Sequence, residues 1–277
     1  MRKLFCVFLG LLSATVAAPS DRSGLLMISI DGLNPQYVIQ ADKYGLKIPN
    51  LRRILRDGAH ASGVRGVLPT VTYPTHTTML TGVWPAKHGI YNNVTFDPLQ
   101  TNLGGWYWYA EDVRVPTLWE MAAKAGYTVG SVAWPVSVGA KGVSHLIPEY
   151  WRAMTTSDDL KLLRSLSSPG LLSAFEPVHG KYIIDLDDAT PGDWMRTKYA
   201  ASIIKEKRAR VLTLHMASLD HIEHDTGPIT APAFAALEEI DKMVGVLEQA
   251  MRSVAPDASI CIVSDHGMAR VEHELNL

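Results

Sequence analysis

Cysteine is almost absent from this sequence, which has only Cys6 and Cys261 among its 277 residues. Cys6 lies in a segment that is interpreted below as a removable leader, so the mature chain keeps one cysteine and an intrachain disulfide is excluded. A large excess of charge is absent as well, since the formal net charge is −2. A nearly neutral chain gives no electrostatic basis for binding bulk nucleic acid. The sequence also lacks internal repeats and low-complexity segments.

The N-terminus has the three features of a signal peptide. Met1–Lys3 is positively charged, Leu4–Leu12 is apolar, and Val16–Ala18 is a small-residue cleavage site. We therefore predict a signal peptide over residues 1–18 and a mature protein exported to a bacterial periplasm or secreted. Leu4–Leu12 is too short to span a membrane comfortably, so no stable span is expected after cleavage. Pro19 is a poor cleavage context, which leaves a shifted cut or an uncleaved anchor as alternatives.

The rest of the chain has the composition and rhythm of an α/β protein. Hydrophobic residues make up 47% and charged residues 19% of the sequence, which is typical of a globular protein with a substantial core. Apolar strands alternate with helical patterns, which favours a mostly parallel central sheet flanked by helices on both faces. The pattern weakens over about 135–190, which is interpreted as a possible insertion. The predicted strands are Gly24–Ile30, Ala61–Val67, Thr128–Ala133, Arg210–His215 and Ser259–Val263, and a long amphipathic helix is predicted over Phe234–Met251.

Thr72 stands where an apolar run gives way to a helical pattern. The run ends at Val67, and the pattern predicts Thr72 as the cap of a helix over Pro74–Leu80 that ends at Gly82. A hydroxyl at a helix N-terminus faces unpaired backbone N–H groups and the positive end of the helix dipole. That environment suits an oxyanion or a phosphate group. The alternative is a threonine that only caps the helix.

Three carboxylates share one topological position. Asp31 and Asp265 follow predicted strands, and Asp220 comes shortly after a third. The carboxyl ends of parallel strands line one crevice, so these side chains can converge. His266 adjoins Asp265, and His224 lies four residues after Asp220 on the same helical face. Mixed carboxylate and imidazole ligands suit zinc, and two such sets suit a two-metal site, whereas each residue taken alone is more often a cap or a turn former.

Six motifs follow one another along the chain. They are Ile30–Gly32, Pro69–Pro74, Leu80–Ile90, Asn93, the run from Asp220 through His224 to Pro228, and Ser264–Met268. In combination they resemble the nucleotide pyrophosphatase/phosphodiesterase family, also called type I phosphodiesterases, of the alkaline phosphatase superfamily. The resemblance extends from about Leu25 to Met268. It implies an alkaline phosphatase-like catalytic domain over residues 24–277.

The resemblance also implies an activity, namely zinc-dependent hydrolysis of phosphodiester or pyrophosphate bonds in small molecules such as nucleotides. Thr72 matches the family nucleophile, which attacks phosphorus, contacts one zinc ion and forms a covalent phospho-threonine intermediate. Asn93 matches an asparagine that donates a hydrogen bond to a non-bridging phosphate oxygen. The alternatives are a phosphomonoesterase or phosphonate hydrolase of the same superfamily, and a catalytically impaired, truncated remnant.

The resemblance further implies two Zn²⁺ ions, of which the second lacks its expected third protein ligand. That ligand is normally a histidine well downstream of Ser264–Met268, whereas this chain ends at Leu277 and His273 lies too near the motif. A truncated chain with an incomplete sheet is therefore expected, unless another group completes the site. The matching ligands are Asp31, Thr72, Asp265 and His266 for the first zinc, and Asp220 and His224 for the second.

The segment before Asp220 departs from the family pattern. Many members have a tyrosine five residues before this aspartate and a proline directly before it, where this chain has His215 and Leu219, and Glu223 replaces a glycine. His215 is a candidate substrate-binding residue. The alternative is that its hydrogen bonds are satisfied within the protein at the end of a strand. The nucleoside preference of the family therefore does not carry over, and the sequence does not indicate an oligomeric state.

Overall fold

The computed structural model describes residues 23–99, 101, 105–152, 155–184 and 189–272. The strands are β1 Leu25–Ile30, β2 Val129–Val132, β3 His145–Ile147, β4 Val211–Met216 and β5 Ser259–Val263. They form one sheet in the order β3-β2-β4-β1-β5, and each pairing in it is parallel. The predicted α/β architecture is therefore confirmed, whereas the predicted signal peptide (1–18) and His273 lie outside the described residues.

Helices pack against both faces of this sheet. They are α1 Pro35–Ile39, α2 Ala41–Tyr44, α3 Pro49–Asp57, α4 Thr72–Thr81, α5 Pro85–His88, α6 Leu118–Lys124, α7 Thr156–Leu166, α8 Leu171–His179, α9 Ala189–Lys207, α10 Ser218–Thr226 and α11 Ala231–Val254. Leu26 and Ile28 of β1 face a large core shared with α9 and α11, whereas Leu25 and Met27 face a smaller cluster around Trp119 of α6. This division follows from the alternation of side chains along a strand.

The amphipathic helix α11 confirms the predicted periodicity. The Thr230 side chain caps it by accepting a hydrogen bond from the Ala233 N–H group, and Pro232 occupies its first turn. The helix packs against α9 and α3. Its fully buried positions recur at three- and four-residue steps and include Leu237, Ile240, Val244, Leu247 and Met251.

Two predictions before Tyr73 are wrong. Residues 61–67 form no strand; Ala61–Gly66 is exposed, and Gly63, Arg65 and Gly66 interrupt its apolar character. Thr72 is the first residue of α4 instead of its cap, because the extended residue Val71 holds the cap position. Gly82 ends the helix in the left-handed conformation, as the pattern indicates.

The region of weak pattern, 135–190, contributes to the sheet as well as to its surroundings. It contains β3, which pairs with β2, and the helices α7 and α8. None of the helices in the described ranges is both long enough and apolar enough to cross a membrane.

Candidate active site

The carboxyl edge of the sheet brings the predicted ligands together. Ile30 of β1 pairs with Met216 of β4, and Ser29 pairs with Val263 of β5, so the three strands end at one level. Asp31 follows β1 directly and Asp265 follows β5 after one residue. The Gly32 N–H group donates a hydrogen bond of 3.4 Å to Oδ1 of Asp265, which links the ends of the two strands.

Asp220 reaches the same place from the first turn of α10. The buried Asp193 carboxylate of α9 accepts hydrogen bonds from the N–H groups of Ala217 and Ser218, at 3.2 and 2.9 Å, and so fixes the start of that helix. A β-carbon on Gly32 would lie only 3.2 Å from Cα of Asp220, and Gly32 has φ +71°. Glycine therefore permits both the turn after Asp31 and the close approach of α10.

Three side chains form the centre of the site. Asp31, Asp220 and His266 each offer one ligand atom, and these atoms all lie within 4.8 Å of one another. Nε2 of His266 is 3.4 Å from Oδ1 of Asp31 and 3.4 Å from Oδ2 of Asp265. The cluster thus combines residues from both predicted ligand sets, Asp31 and His266 from the first and Asp220 from the second.

The oxygens of this cluster fit a metal ion. Oδ1 of Asp31, Oδ1 of Asp220 and Oδ2 of Asp265 are buried and have no hydrogen-bond partner among the described residues. Burial, and then the neighbouring charge of Asp265, hold the pKa of Asp31 well above its usual range. Buried carboxylates of this kind are costly unless a cation offsets their desolvation. Carboxylate oxygens and an imidazole nitrogen form a donor set that suits zinc.

His224 lies at the rim of the cluster. Its Nε2 atom is 3.4 Å from Oδ2 of Asp220, as the four-residue spacing in α10 predicts, and 67% of its side chain is exposed. Glu223, one residue earlier, points inward and accepts a hydrogen bond of 2.6 Å from the Tyr37 hydroxyl. Its second oxygen is buried and unpaired within the described structure.

Thr72 begins α4, and two side chains fix the backbone around it. Oδ1 of Asn93 accepts a hydrogen bond of 2.8 Å from the Tyr73 N–H group. The Nδ1 atom of His76 lies 2.8 Å from the Thr72 carbonyl oxygen and 3.8 Å from Oδ2 of Asp265. Burial lowers the pKa of His76 to about 4, so this ring is neutral and its Nδ1–H group donates to the carbonyl. Thr72 is thereby placed beside the carboxylate cluster.

His215 lies beneath the cluster, and only 3% of it is exposed. Its Nε2 atom is 3.1 Å from Oδ2 of Asp31, and its Nδ1 atom is 3.2 Å from Oε2 of Glu149. Burial alone would lower the pKa of His215, but hydrogen bonds to Asp31 and Glu149 raise it to about 10. Both ring nitrogens of His215 are therefore engaged by carboxylate oxygens.

Glu149 is a site residue that the sequence analysis missed. It follows β3 and so stands at the same edge of the sheet as Asp31. Besides His215, it contacts the Tyr73 hydroxyl, which donates a hydrogen bond of 2.8 Å to its Oε1 atom. The strand-end position was an available signal, but β3 has only three residues and lies in the region of weak pattern.

Comparison with known proteins identifies the family of the chain. The model of the family described as type I phosphodiesterase/nucleotide pyrophosphatase matches residues 25–277. Ectonucleotide pyrophosphatase/phosphodiesterase family member 3 of Bos taurus is 24% identical over 263 residues, which cover 90% of this chain and 25% of the relative. Family member 5 of Homo sapiens is 25% identical over 276 residues, which cover 95% of this chain and 48% of the relative.

Solved structures show the same fold. Murine ectonucleotide pyrophosphatase/phosphodiesterase 5 superposes with a TM-score of 0.58 at 21% identity, covering 90% of this chain and 58% of that protein. Phosphonoacetate hydrolase of Sinorhizobium meliloti gives a TM-score of 0.63 at 22% identity, covering 90% and 57%. The chain spans a quarter of the length of family member 3 of Bos taurus and about half of the length of family member 5 of Homo sapiens. Because the family model matches nearly the whole of it, the chain belongs to the type I phosphodiesterase/nucleotide pyrophosphatase family.

Proposed function

We propose that this chain carries the catalytic residues of a zinc-dependent phosphodiesterase or nucleotide pyrophosphatase. The observation that carries the proposal is the convergence of ligand atoms of Asp31, Asp220 and His266 within 4.8 Å at the carboxyl edge of the sheet. The helix that begins at Thr72 is joined to this edge by Nδ1 of His76, which lies 2.8 Å from the Thr72 carbonyl oxygen and 3.8 Å from Oδ2 of Asp265. The proposed substrates are small-molecule phosphodiesters or nucleotides. The proposed location is outside the cytoplasm, in the periplasm or the secreted fraction, which rests on the leader-like N-terminus.

Thr72 is the proposed nucleophile. Its hydroxyl oxygen would lose its proton to solvent and form a bond to phosphorus while the bond from phosphorus to the leaving oxygen breaks, which yields a covalent phospho-threonine intermediate. Water would then break the Thr72–phosphorus linkage and restore the hydroxyl. Tyr73 uses only the Oδ1 atom of Asn93, and the Nδ2 group of Asn93 donates to no described residue. This Nδ2 group would donate a hydrogen bond to a non-bridging phosphate oxygen.

We assign two zinc ions to this site. Zinc would supply the Lewis acidity that lowers the pKa of the attacking hydroxyl and offsets phosphate charge. The proposed second set has two ligands among the described residues, one fewer than a catalytic zinc usually takes from protein. The proposed ligands are Asp31, Thr72, Asp265 and His266 for one ion, and Asp220 and His224 for the other.

A comparison of three substrates tests this function. Zinc-loaded protein is assayed with bis(p-nitrophenyl) phosphate, p-nitrophenyl phosphate and phosphonoacetate at matched concentration. We expect the diester to be hydrolysed fastest. A strong preference for the monoester or the phosphonate would contradict the diesterase proposal, and the shared fold does not separate these reactions.

A substitution at Thr72 tests the mechanism. Thr72→Ala should lower kcat for the diester by about three orders of magnitude or more, because it removes the nucleophile. Thr70→Ala is the matched control, since Thr70 is exposed and its hydroxyl only donates to the Val67 carbonyl oxygen. Unchanged hydrolysis by Thr72→Ala would refute the nucleophilic role.

A further inference from the structure

We propose that His215 and Glu149 are positioning residues, which hold the ligand Asp31 and the nucleophile-bearing helix α4 in one fixed arrangement. The proposal rests on the proposed function for the roles of Asp31 and Thr72. The distances from His215 and Glu149 to their neighbours do not depend on the proposed function.

The two oxygens of Asp31 have different environments. Oδ2 lies 3.1 Å from Nε2 of His215, whereas Oδ1 has no hydrogen-bond partner in the described part of the chain and lies 3.4 Å from Nε2 of His266. His215 therefore fixes the rotation of the carboxylate about its Cβ–Cγ bond and keeps Oδ1 directed at the ligand cluster. Partners outside the ligand set commonly orient metal ligands in this way.

Glu149 holds the opposite edge of the His215 ring. Its Oε2 atom is 3.2 Å from Nδ1 of His215. An imidazole held between two carboxylates has one ring orientation, and β4, which carries it, is buried along its whole length. Because both of its ring nitrogens face carboxylate oxygens, His215 acts here on Asp31 and not on a substrate.

Glu149 also connects this pair to α4. Its Oε1 atom accepts a hydrogen bond of 2.8 Å from the hydroxyl of Tyr73, the residue after Thr72. Tyr73 is fully buried, and its ring packs edge-on against Trp106 with the centroids 5.2 Å apart. A continuous set of polar contacts thus runs from Asp31 through His215 and Glu149 to the first turn of α4.

A buried charged network is a poor device for stability alone, because its desolvation cost offsets much of the attraction between its members. A purely structural role predicts that its disruption lowers the melting temperature and leaves zinc affinity unchanged. A positioning role predicts weaker zinc binding and a lower kcat in a protein that is still folded. These readouts separate the two roles.

The test uses the full chain and measures zinc affinity by competition with a chromogenic chelator, without substrate. His215→Phe keeps a ring and removes both polar contacts, and we expect zinc affinity to fall by about 10- to 100-fold, the usual effect of losing such a partner. His215→Gln, whose amide can still donate to Asp31, should recover part of that loss. For the diester, kcat should fall more than KM rises.

Two further variants keep the test decisive. Glu149→Gln preserves the volume of Glu149 and weakens its hold on His215, so it should reduce zinc affinity in the same direction even where His215→Phe folds poorly. His179→Phe is the matched control, because His179 is a partly buried histidine in α8 that bonds Ser202 away from the site. Wild-type zinc affinity in folded His215→Phe and Glu149→Gln would overturn the proposal. A wild type that binds zinc but hydrolyses no diester would overturn the proposed function, and the affinity comparison would still decide this inference.

Discussion

The side-chain oxygen of Asn93 accepts a hydrogen bond of 2.8 Å from the backbone N–H group of Tyr73, in the first turn of α4. This contact determines which end of the Asn93 amide is available to a ligand. Its oxygen is engaged by the helix, so its Nδ2 group is the free donor. The hydrogen bond therefore ties the loop that contains Asn93 to the helix that begins at Thr72.

Asn93→Asp should separate the two functions of this side chain. The aspartate keeps an acceptor for the Tyr73 N–H group but removes the donor and adds a negative charge near the phosphate. We expect the melting temperature to be retained and kcat for the diester to fall by about 10²- to 10³-fold. Asn92→Asp adds the same charge at an exposed neighbour, whose side-chain oxygen accepts from the Asn93 N–H group, and should leave kcat unchanged. Equal losses in both variants would indicate a general charge effect.

Gly32→Ala should disturb the approach of α10 to the strand ends. Gly32 has φ +71° and its added β-carbon would crowd Asp220, whereas Gly45 has φ +68° and nothing within 4 Å of the same atom. Gly45→Ala therefore measures the backbone penalty alone, about 1–2 kcal/mol in unfolding free energy. We expect Gly32→Ala to lose more than this by urea denaturation and to bind zinc more weakly. Equal losses with unchanged zinc affinity would show that the close approach is not required.

His88 should make stability depend on pH. The residue is fully buried, its Nδ1 atom accepts a hydrogen bond from the Ile90 N–H group, and its Nε2 atom lies 2.9 Å from the Thr78 hydroxyl. Burial lowers the pKa of His88 from 6.5 to about 4. Protons then bind more tightly to the unfolded chain, so the contribution of this group is complete above pH 6.5 and is lost as the pH falls toward 4.

The variant His88→Asn tests this dependence, because asparagine keeps an acceptor near the Nδ1 position and does not titrate. Urea denaturation at pH 7.5 and pH 4.5 gives the free energy of unfolding of both proteins. We expect the advantage of the wild type over the variant to shrink by about 1 to 3 kcal/mol at the lower pH. Parallel pH profiles would contradict the assignment of a depressed pKa to His88.

The sequence predicted the parts of the site that follow long, regular elements. β1, β4 and β5 are apolar runs that end at polar residues, so the positions of Asp31 and Asp265 followed from the rule for parallel sheets. The run 61–67 also contains apolar residues, but two glycines and Arg65 interrupt it and no strand pairs with it. A strand forms only where a neighbouring strand pairs with it, and a local sequence pattern does not reveal whether such a neighbour exists.

The network around His215 was beyond the reach of local patterns. Its alternatives, a substrate contact or a satisfied histidine, differ only in which side chains surround the ring. Glu149, which contacts His215 directly, lies 66 residues before it in the chain. Tyr73, which is connected to His215 by its hydrogen bond to Glu149, lies 142 residues before it. Contacts over such separations are created by packing, and Glu149 itself follows a strand too short to be predicted from periodicity.

The proposed attack of Thr72 on phosphorus is tested most directly by the mass of the protein quenched in acid during turnover of bis(p-nitrophenyl) phosphate. We predict a p-nitrophenylphosphoryl adduct that peptide mapping assigns to Thr72, and no adduct on Thr72→Ala. An adduct on another residue, or sustained turnover by a wild type that never carries the label, would contradict the nucleophilic role of Thr72.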